Sequence, residues 1–266
     1  MTAAVVLTAA GCASATGFGG SLSGWSLRPL PAGGAAALRW NTVSDAPFDR
    51  FGRLDALSKL VLVAAEMTGL PPAPGGAGQP EMAVCLGTRC GSLGADLDFL
   101  RSIAAPGGAS PALFSYTLPS TAIGEAAIRY RLAGPNLCLL AGAESGWLAF
   151  WEGLELVSSG EAAGCLCLGG DALPPAAAEL LGHGDAAVET QPDFAYAFVV
   201  EEERAARNRS RAALADLSIR REVAPAAGQG SLSELYRFLA HGDQRRLCLT
   251  APAALGIPGT LAVERR

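Results

Sequence analysis

Charge is scarce in this sequence. Only 17% of its 266 residues are charged whereas half are hydrophobic, so the chain can bury a sizeable core and extended disorder is not expected. The 20 basic residues are outnumbered by 25 acidic ones, and they are scattered along the chain or lie on predicted helix faces. A protein that binds nucleic acid concentrates positive charge on one surface. The pattern therefore predicts no nucleic-acid partner.

Histidine is almost absent, since His183 and His241 are the only two imidazoles. This shortage leaves few nitrogen ligands for a zinc site. Most of the seven cysteines lie in apolar runs, where a thiol is a small buried hydrophobe. Cys165 and Cys167 lie two residues apart on a predicted strand, so they share one face and Leu166 takes the other. We expect reduced thiols, no metal and no cofactor.

Long apolar runs and a basic start are also missing. No stretch reaches the roughly 18 apolar residues that a membrane-spanning helix needs, so no membrane span is expected. The small residues before Cys12 resemble a lipoprotein cleavage site, but the first positive charge is Arg28, and a secretory signal begins with a basic segment. We therefore interpret residues 3–9 as a buried first strand and expect a cytoplasmic protein.

Strand and helix patterns alternate along the chain. Six apolar runs predict strands, at 3–9, 82–88, 137–141, 164–169, 195–203 and 246–250. Five segments predict helices, near 54–69, 91–104, 120–132, 145–158 and 231–240. The Gly- and Ser-rich segment 17–35 predicts a loop. Because the strands are apolar at successive positions rather than alternate ones, we expect an α/β fold with helices on both faces of a sheet.

At one point a predicted strand runs directly into a helix, which is where many enzymes hold a nucleophile. The corner consists of Gly142, Ala143, Glu144, Ser145 and Gly146. These residues read G-x-x-S-G and not the G-x-S-x-G of hydrolases. Glu144 fits a general base, and equally a carboxylate stabilised by the helix dipole. Ser145 fits a nucleophile, and equally a helix cap.

Six segments form an ordered set along the chain. They are VVLTAAGCASATG, FGRLDALSKLVLVAAEMTG, MAVCLGTRCGSLG, LPSTAIGEAAIRYRLAGPN, GPNLCLLAGAESG and EAAGCLCLGGDAL. In this order they resemble successive parts of the N-terminal half of a β-ketoacyl synthase of the thiolase-like superfamily, the fifth being its cysteine elbow. The resemblance implies a layered α/β/α fold, with a ketosynthase-like domain at 1–203. It also implies a strongly truncated C-terminal half, reduced to an extension at 204–266.

The resemblance also bears on catalysis. Active ketosynthases attack an acyl thioester with the elbow Cys, and the matching residue here is Ala143, whose methyl group cannot form an acyl-enzyme. Neither His183 nor His241 lies in a motif that matches the family's catalytic histidines. A ketosynthase-like chain without its Cys resembles a chain length factor, the non-catalytic partner of a ketosynthase in type II polyketide and aryl polyene systems. This implies a heterodimer with a catalytic ketosynthase, and an acyl carrier protein as a transient partner.

Two sets of residues follow from the resemblance. It places the wall of the acyl or polyene tunnel at Phe114, Tyr116, Thr121 and Ile123, although ordinary packing explains each of them equally well. It places the dimer interface along a strand edge formed by Asn136, Leu137, Cys138, Leu139, Leu140 and Ala141. Such an apolar, uncharged edge is an aggregation hazard when it is unpaired, so we predict an obligate partner.

Two other functions remain open at this point. One is a stand-alone acyl-thioester enzyme, a malonyl decarboxylase or an acyl transferase, that uses Glu144 or Ser145. The other is a scaffold that binds carrier protein without affecting product length. Activity of the isolated chain on malonyl-carrier protein distinguishes the first from a chain length factor, and product length distinguishes the second.

Overall fold

The computed structural model describes residues 4–71, 81–173, 193–220, 230–256 and 259–266. These residues form nine strands and eight α-helices. The strands are β1 (Val5–Ser14), β2 (Gly17–Gly20), β3 (Met82–Gly87), β4 (Asn136–Leu139), β5 (Gly164–Asp171), β6 (Phe194–Glu202), β7 (Ala215–Arg220), β8 (Arg246–Thr250) and β9 (Thr260–Arg265). The helices are α1 (Gly34–Ala37), α2 (Ala56–Glu66), α3 (Leu93–Ile103), α4 (Pro111–Phe114), α5 (Ser120–Tyr130), α6 (Ser145–Ser158), α7 (Glu203–Asn208) and α8 (Leu232–His241).

The nine strands belong to one mixed sheet. Its order is β4-β3-β5-β6-β1-β7-β9-β8, and β2 pairs with β1 as a hairpin. Strand β3 is parallel to both of its neighbours, β4 and β5, whereas the remaining pairs are antiparallel. Strand β4 therefore forms one edge of the described sheet and β8 forms the other. The resemblance to ketosynthases implies an edge position for this strand, and the strand order agrees with it.

Each face of the sheet carries its own hydrophobic core. One core includes residues of α2 and α5, and the other includes residues of α6 and α8. Within β5, Leu166 belongs to the first core while Cys165 and Cys167 belong to the second, as the alternation of side chains along a strand predicts. The expected α/β architecture, with helices on both faces of a sheet, is thus confirmed.

The start of the chain differs from the prediction. Strand β1 runs to Ser14 rather than ending at residue 9, and β2 lies inside the segment that the glycines predict to be a loop. The reason is close backbone approach: a Cβ on Gly20 would collide with the carbonyl oxygen of Ala10. Glycine in this segment therefore permits tight strand pairing, which a composition rule for loops does not distinguish from a turn.

The C-terminal residues extend the same sheet and cover α6. Strand β7 pairs with β1, and β9 joins β7 to the edge strand β8. The indole Nε1 of Trp147 in α6 donates to the carbonyl oxygen of Thr250 at 2.8 Å. Residues on both sides of the predicted boundary at 203/204 thus share one sheet, and the division into 1–203 and 204–266 stays a prediction.

Within the described ranges, no helix combines the length and apolarity needed to cross a membrane.

Candidate functional site

The strand-to-helix corner is tightly built around Ser145. Strand β4 ends at Leu139, residues 142–144 make one 3₁₀ turn, and α6 begins at Ser145. The Ser145 hydroxyl accepts a hydrogen bond from the amide of Ala141 at 2.8 Å and donates one to the carbonyl of Gly142 at 2.7 Å. The residue is buried, with 1% of its surface exposed. Its hydroxyl therefore closes the turn, and it already both donates and accepts a hydrogen bond within that turn.

The helix that follows the corner sits directly on the sheet. A Cβ on Gly87, the last residue of β3, would collide with the carbonyl of Ser145. The first turn of α6 and the end of β3 therefore pack backbone against backbone. This close contact fixes where the helix N-terminus points relative to the strand ends, as a site of chemistry at such a corner requires.

The corner opens into a cavity of about 450 Å³. Its walls include Ala143 and Glu144 from the corner, Asp171 from the end of β5, and Ser231 at the start of α8. Ala143 is exposed and contributes only a methyl group where the resemblance predicts the nucleophile. The acid-base groups in this wall are thus carboxylates and hydroxyls.

No imidazole lines the corner cavity among the described residues. His241 is an exposed residue at the end of α8 and is not part of the cavity wall. His183 lies outside the described residues. Glu144 is half-buried in the wall and takes part in contacts of its own, so its presence there fits a structural carboxylate as well as a base.

The four predicted tunnel residues lie apart from the corner cavity. Tyr116 lines a second cavity, of about 470 Å³, together with Leu113. Phe114 is 61% exposed, and its ring centroid lies 5.3 Å from that of Phe99 in α3. Thr121 donates its hydroxyl to a backbone carbonyl at 3.1 Å, and Ile123 is buried in the core beneath α5. Their role in a tunnel stays a prediction.

The residues of the predicted interface lie along the open edge of the sheet. Leu137, Cys138 and Leu139 are half-buried, whereas Asn136 and Leu140 are exposed, Leu140 by 58%. Nothing in the described residues pairs with the outer side of β4. The strand therefore leaves a row of backbone groups and apolar side chains available for another chain.

The sequence pattern does not predict all of the apolar surface that is exposed in this half of the chain. We call the edge patch the five exposed apolar residues of α3, α4, β4 and their connections: Leu100, Ile103, Phe114, Leu118 and Leu140. Helix α3 contacts α4, and a Cβ on Gly91 would lie close both to Pro119, which follows Leu118, and to Leu140. Large apolar side chains that stay exposed commonly mark an interaction site. The signal that was available is the two apolar residues near the end of α3, Leu100 and Ile103, which the sheet does not cover.

The cysteines are free thiols that do not gather with other potential metal ligands among the described residues. All seven are free, and no group of three or more Cys, His, Asp or Glu side chains among the described residues forms a possible metal cluster. Cys85 and Cys165 place their Sγ atoms 3.7 Å apart. Burial raises the pKa of the Cys165 and Cys167 thiols, which keeps them protonated and disfavours the thiolate that binds metals.

Comparison with known proteins gives structural neighbours without close sequence relatives. No protein-family model matches the chain, and no curated protein matches it. Among solved structures, the ishigamide ketosynthase/chain length factor superposes with a TM-score of 0.70 at 19% identity, over 98% of this chain and 99% of that chain.

Two further complexes superpose over 100% of both chains. The ketosynthase ApeO in complex with its chain length factor ApeC, from Xenorhabdus doucetiae, gives a TM-score of 0.60 at 19% identity. AntDE:AntF, a type II polyketide acyl-carrier protein in complex with its ketosynthase bound to the hexaketide, gives 0.72 at 15%. These coverages do not show the truncated C-terminal half that the sequence predicts. They show that the chain has the thiolase-like α/β fold of ketosynthases and chain length factors.

Proposed function

We propose that this protein is a chain-length-factor-like subunit that pairs with a catalytic β-ketoacyl synthase. The observation that carries the proposal is the corner at residues 142–146. It keeps the geometry of a nucleophile site, but it presents Ala143 to the cavity and uses the Ser145 hydroxyl to close its own turn. At the position where the resemblance implies the nucleophile, the corner carries a methyl group, which cannot form an acyl-enzyme.

The open edge of the sheet supports the proposed pairing with a ketosynthase. Among the described residues, strand β4 has no partner on its outer side, and the edge patch adds exposed apolar side chains. An obligate interface buries such a surface, and a catalytic ketosynthase of the same fold would supply the edge strand that pairs with β4. The acyl carrier protein then visits the complex transiently. The seven free cysteines agree with a cytoplasmic setting in which thiols stay reduced.

The second cavity supports a role in setting chain length. Tyr116 and Leu113 lie in its wall, and α4, which contains Leu113, also contributes Phe114 to the edge patch. A chain that grows in the partner would cross the interface beside α4. Side chains in this region would then limit how far the acyl or polyene chain extends.

One other function has a specific observation in its favour. Glu144 lines the corner cavity, so a stand-alone malonyl decarboxylase or acyl transferase that uses this carboxylate is the second candidate. Ser145 is a poor nucleophile for such an enzyme because it is buried and both of its hydrogen bonds are made. Glu144 is thus the residue on which the two functions differ.

The deciding experiment compares three samples with malonyl-carrier protein: the isolated chain, a ketosynthase, and the two co-expressed. We expect condensation only where the ketosynthase is present, and an unchanged rate when the complex carries Glu144→Gln. Release of carbon dioxide by the isolated chain, abolished by Glu144→Gln, would instead establish the stand-alone enzyme. A chain that never co-purifies with a ketosynthase and stays a soluble monomer would exclude the partner role.

A further inference from the structure

Asp171 makes an unusual set of hydrogen bonds at the end of β5. Its Oδ1 atom accepts from the hydroxyl of Thr88 at 2.8 Å, from the amide of Arg89 at 2.8 Å and from the amide of Cys90 at 2.9 Å. The three donors are consecutive residues that follow β3, more than eighty positions earlier in the chain. One carboxylate oxygen thus accepts three hydrogen bonds from a single turn, which we call the edge turn (residues 88–91).

A backbone hydrogen bond also joins the edge turn to β4, the strand at the open edge of the sheet. The Thr88 amide donates to the carbonyl of Leu139 in β4 at 3.0 Å. The Thr88 hydroxyl, which donates to Asp171, also accepts from the amide of Gly91 at 3.0 Å. Thr88 is 1% exposed, so these bonds form in a setting with little competing water. The turn therefore links the corner cavity to β4.

The last residue of the edge turn lies against the predicted partner surface. Gly91 has a φ of 56°, in the left-handed region that favours glycine. A Cβ there would lie 2.8 Å from Cγ of Pro119 and 3.5 Å from Cδ2 of Leu140. Leu140 belongs to the edge patch, and Pro119 follows its member Leu118. A small displacement of the turn would therefore move the side chains that a partner meets.

We propose that Asp171 is a positioning residue for the partner interface: from the wall of the corner cavity it holds the edge turn, and the edge turn sets the position of Leu140 and Pro119. The inference rests on the proposed function for the identity of the partner, a catalytic ketosynthase. The hydrogen bonds themselves do not depend on that identity. The interaction needs an oxygen acceptor at this point more than it needs a charge, because two of its three donors are neutral backbone amides.

Two substitutions of Asp171 distinguish the role of its oxygen acceptor from the role of its negative charge. Asp171→Asn keeps a side-chain oxygen of the same shape, whereas Asp171→Leu removes every acceptor. Thr8→Val serves as the matched control, because it removes a buried hydrogen bond of 2.6 Å to Glu201 between β1 and β6, away from the edge turn. It lowers stability without altering the turn, so it measures the effect of a general loss of stability.

The accessibility of the Cys90 thiol reports on whether the edge turn is held in place. It is half-buried within residues 88–91, and Cys248 on the opposite edge strand is equally half-buried and serves as the internal reference. The rates at which N-ethylmaleimide modifies the two thiols are measured by mass spectrometry in the dilute full-length chain. The affinity of each variant for the co-expressed ketosynthase is measured in parallel.

We expect Asp171→Leu to raise the Cys90 rate relative to Cys248 by about tenfold and to weaken ketosynthase binding by about tenfold. Asp171→Asn should keep the Cys90 rate and the affinity for the ketosynthase close to those of the unaltered chain. Thr8→Val should change neither the rate nor the affinity. Values for Asp171→Leu equal to those of Thr8→Val would overturn the inference. If the unaltered chain binds no ketosynthase, the proposed function fails, while the Cys90 rates still decide whether Asp171 holds the turn.

Discussion

Ser145 illustrates how one residue separates a catalytic corner from a structural one. It lies at a strand-to-helix corner of the kind in which many enzymes hold a nucleophile, but a nucleophilic hydroxyl needs a base to accept its proton and an open path to a substrate. Here the proton is directed to the carbonyl of Gly142, and the residue is buried. The hydroxyl stabilises the turn that precedes α6.

Ser145→Ala should therefore affect stability alone. Loss of the two hydrogen bonds should lower the free energy of unfolding by about 1 kcal/mol. The product yield of the heterodimer with a ketosynthase should not change once the variant is folded. Denaturant unfolding and product analysis check the two parts. A stable variant with greatly reduced product would show that the hydroxyl acts in chemistry after all.

Single residues differ in how far the sequence reveals them. The positions of Ala143, Glu144 and Ser145 follow from the local pattern, because a strand, a Gly-containing turn and a helix are adjacent in the chain. Asp171 could not be found in this way. Its partners are backbone amides and a hydroxyl more than eighty residues away, and they meet only when β3 and β5 pair.

At the scale of elements, β4 and the edge patch carry the argument for a partner. The strand has only four residues, and among the described residues it forms backbone hydrogen bonds to one neighbour, β3. Few contacts therefore hold it in the sheet. Helices α3 and α4 also leave apolar side chains exposed to solvent. A second chain that pairs with β4 would bury both features together.

A charge on this edge should weaken the complex. Leu140→Asp places a carboxylate in the edge patch, and burying an unpaired charge in an interface is costly, so we expect affinity for the ketosynthase to fall by at least about tenfold. Leu22→Asp is the matched control, because Leu22 is 59% exposed against 58% for Leu140 and lies next to β2, across the sheet from β4. Equal affinities for the two variants would argue against this edge as the interface.

Tyr116 and Phe114 test the role of α4 and the residues after it. Tyr116→Ala enlarges the second cavity, and Phe114→Ala removes a large ring from the edge patch. We expect each heterodimer to make a longer product, since a bulky side chain would no longer stop the chain. Mass spectrometry of the released acids measures this. The role in chain length is excluded if both variants give the original length distribution at normal yield.

Elements were predictable where a single periodicity dominates. The predicted helix at 145–158 has the same bounds as α6, because it is long, apolar and bounded by a tight turn. The hairpin of β1 and β2 was not predicted, because glycines that allow close strand pairing look like glycines that form loops. Strand β9 also escaped prediction, since its pairing with β7 and β8 stabilises a short segment whose own pattern is weak.

At the scale of the whole molecule, one sheet with two cores presents two unlike edges. Strand β4 is followed by the corner and adjoins the edge patch, whereas β8 carries an exposed Arg246 that pairs with Glu264 on β9 at 3.5 Å. A charged edge discourages further pairing, and an apolar one invites it. Alternating strands and helices predict the layered architecture, but the order of strands, and hence which edge is open, depends on long-range pairing that local pattern does not encode.

The two edges allow a direct test of whether a ketosynthase covers β4. Cys138 on β4 and Cys248 on β8 are both free and half-buried, so each reports on its own edge of the same molecule. Their rates of modification by N-ethylmaleimide are compared in the isolated chain and in its complex with a catalytic ketosynthase. We expect the partner to slow the modification of Cys138 by at least about tenfold and to leave the modification of Cys248 unchanged. Equal rates for Cys138 in the presence and absence of the ketosynthase, or protection of Cys248 instead, would contradict it.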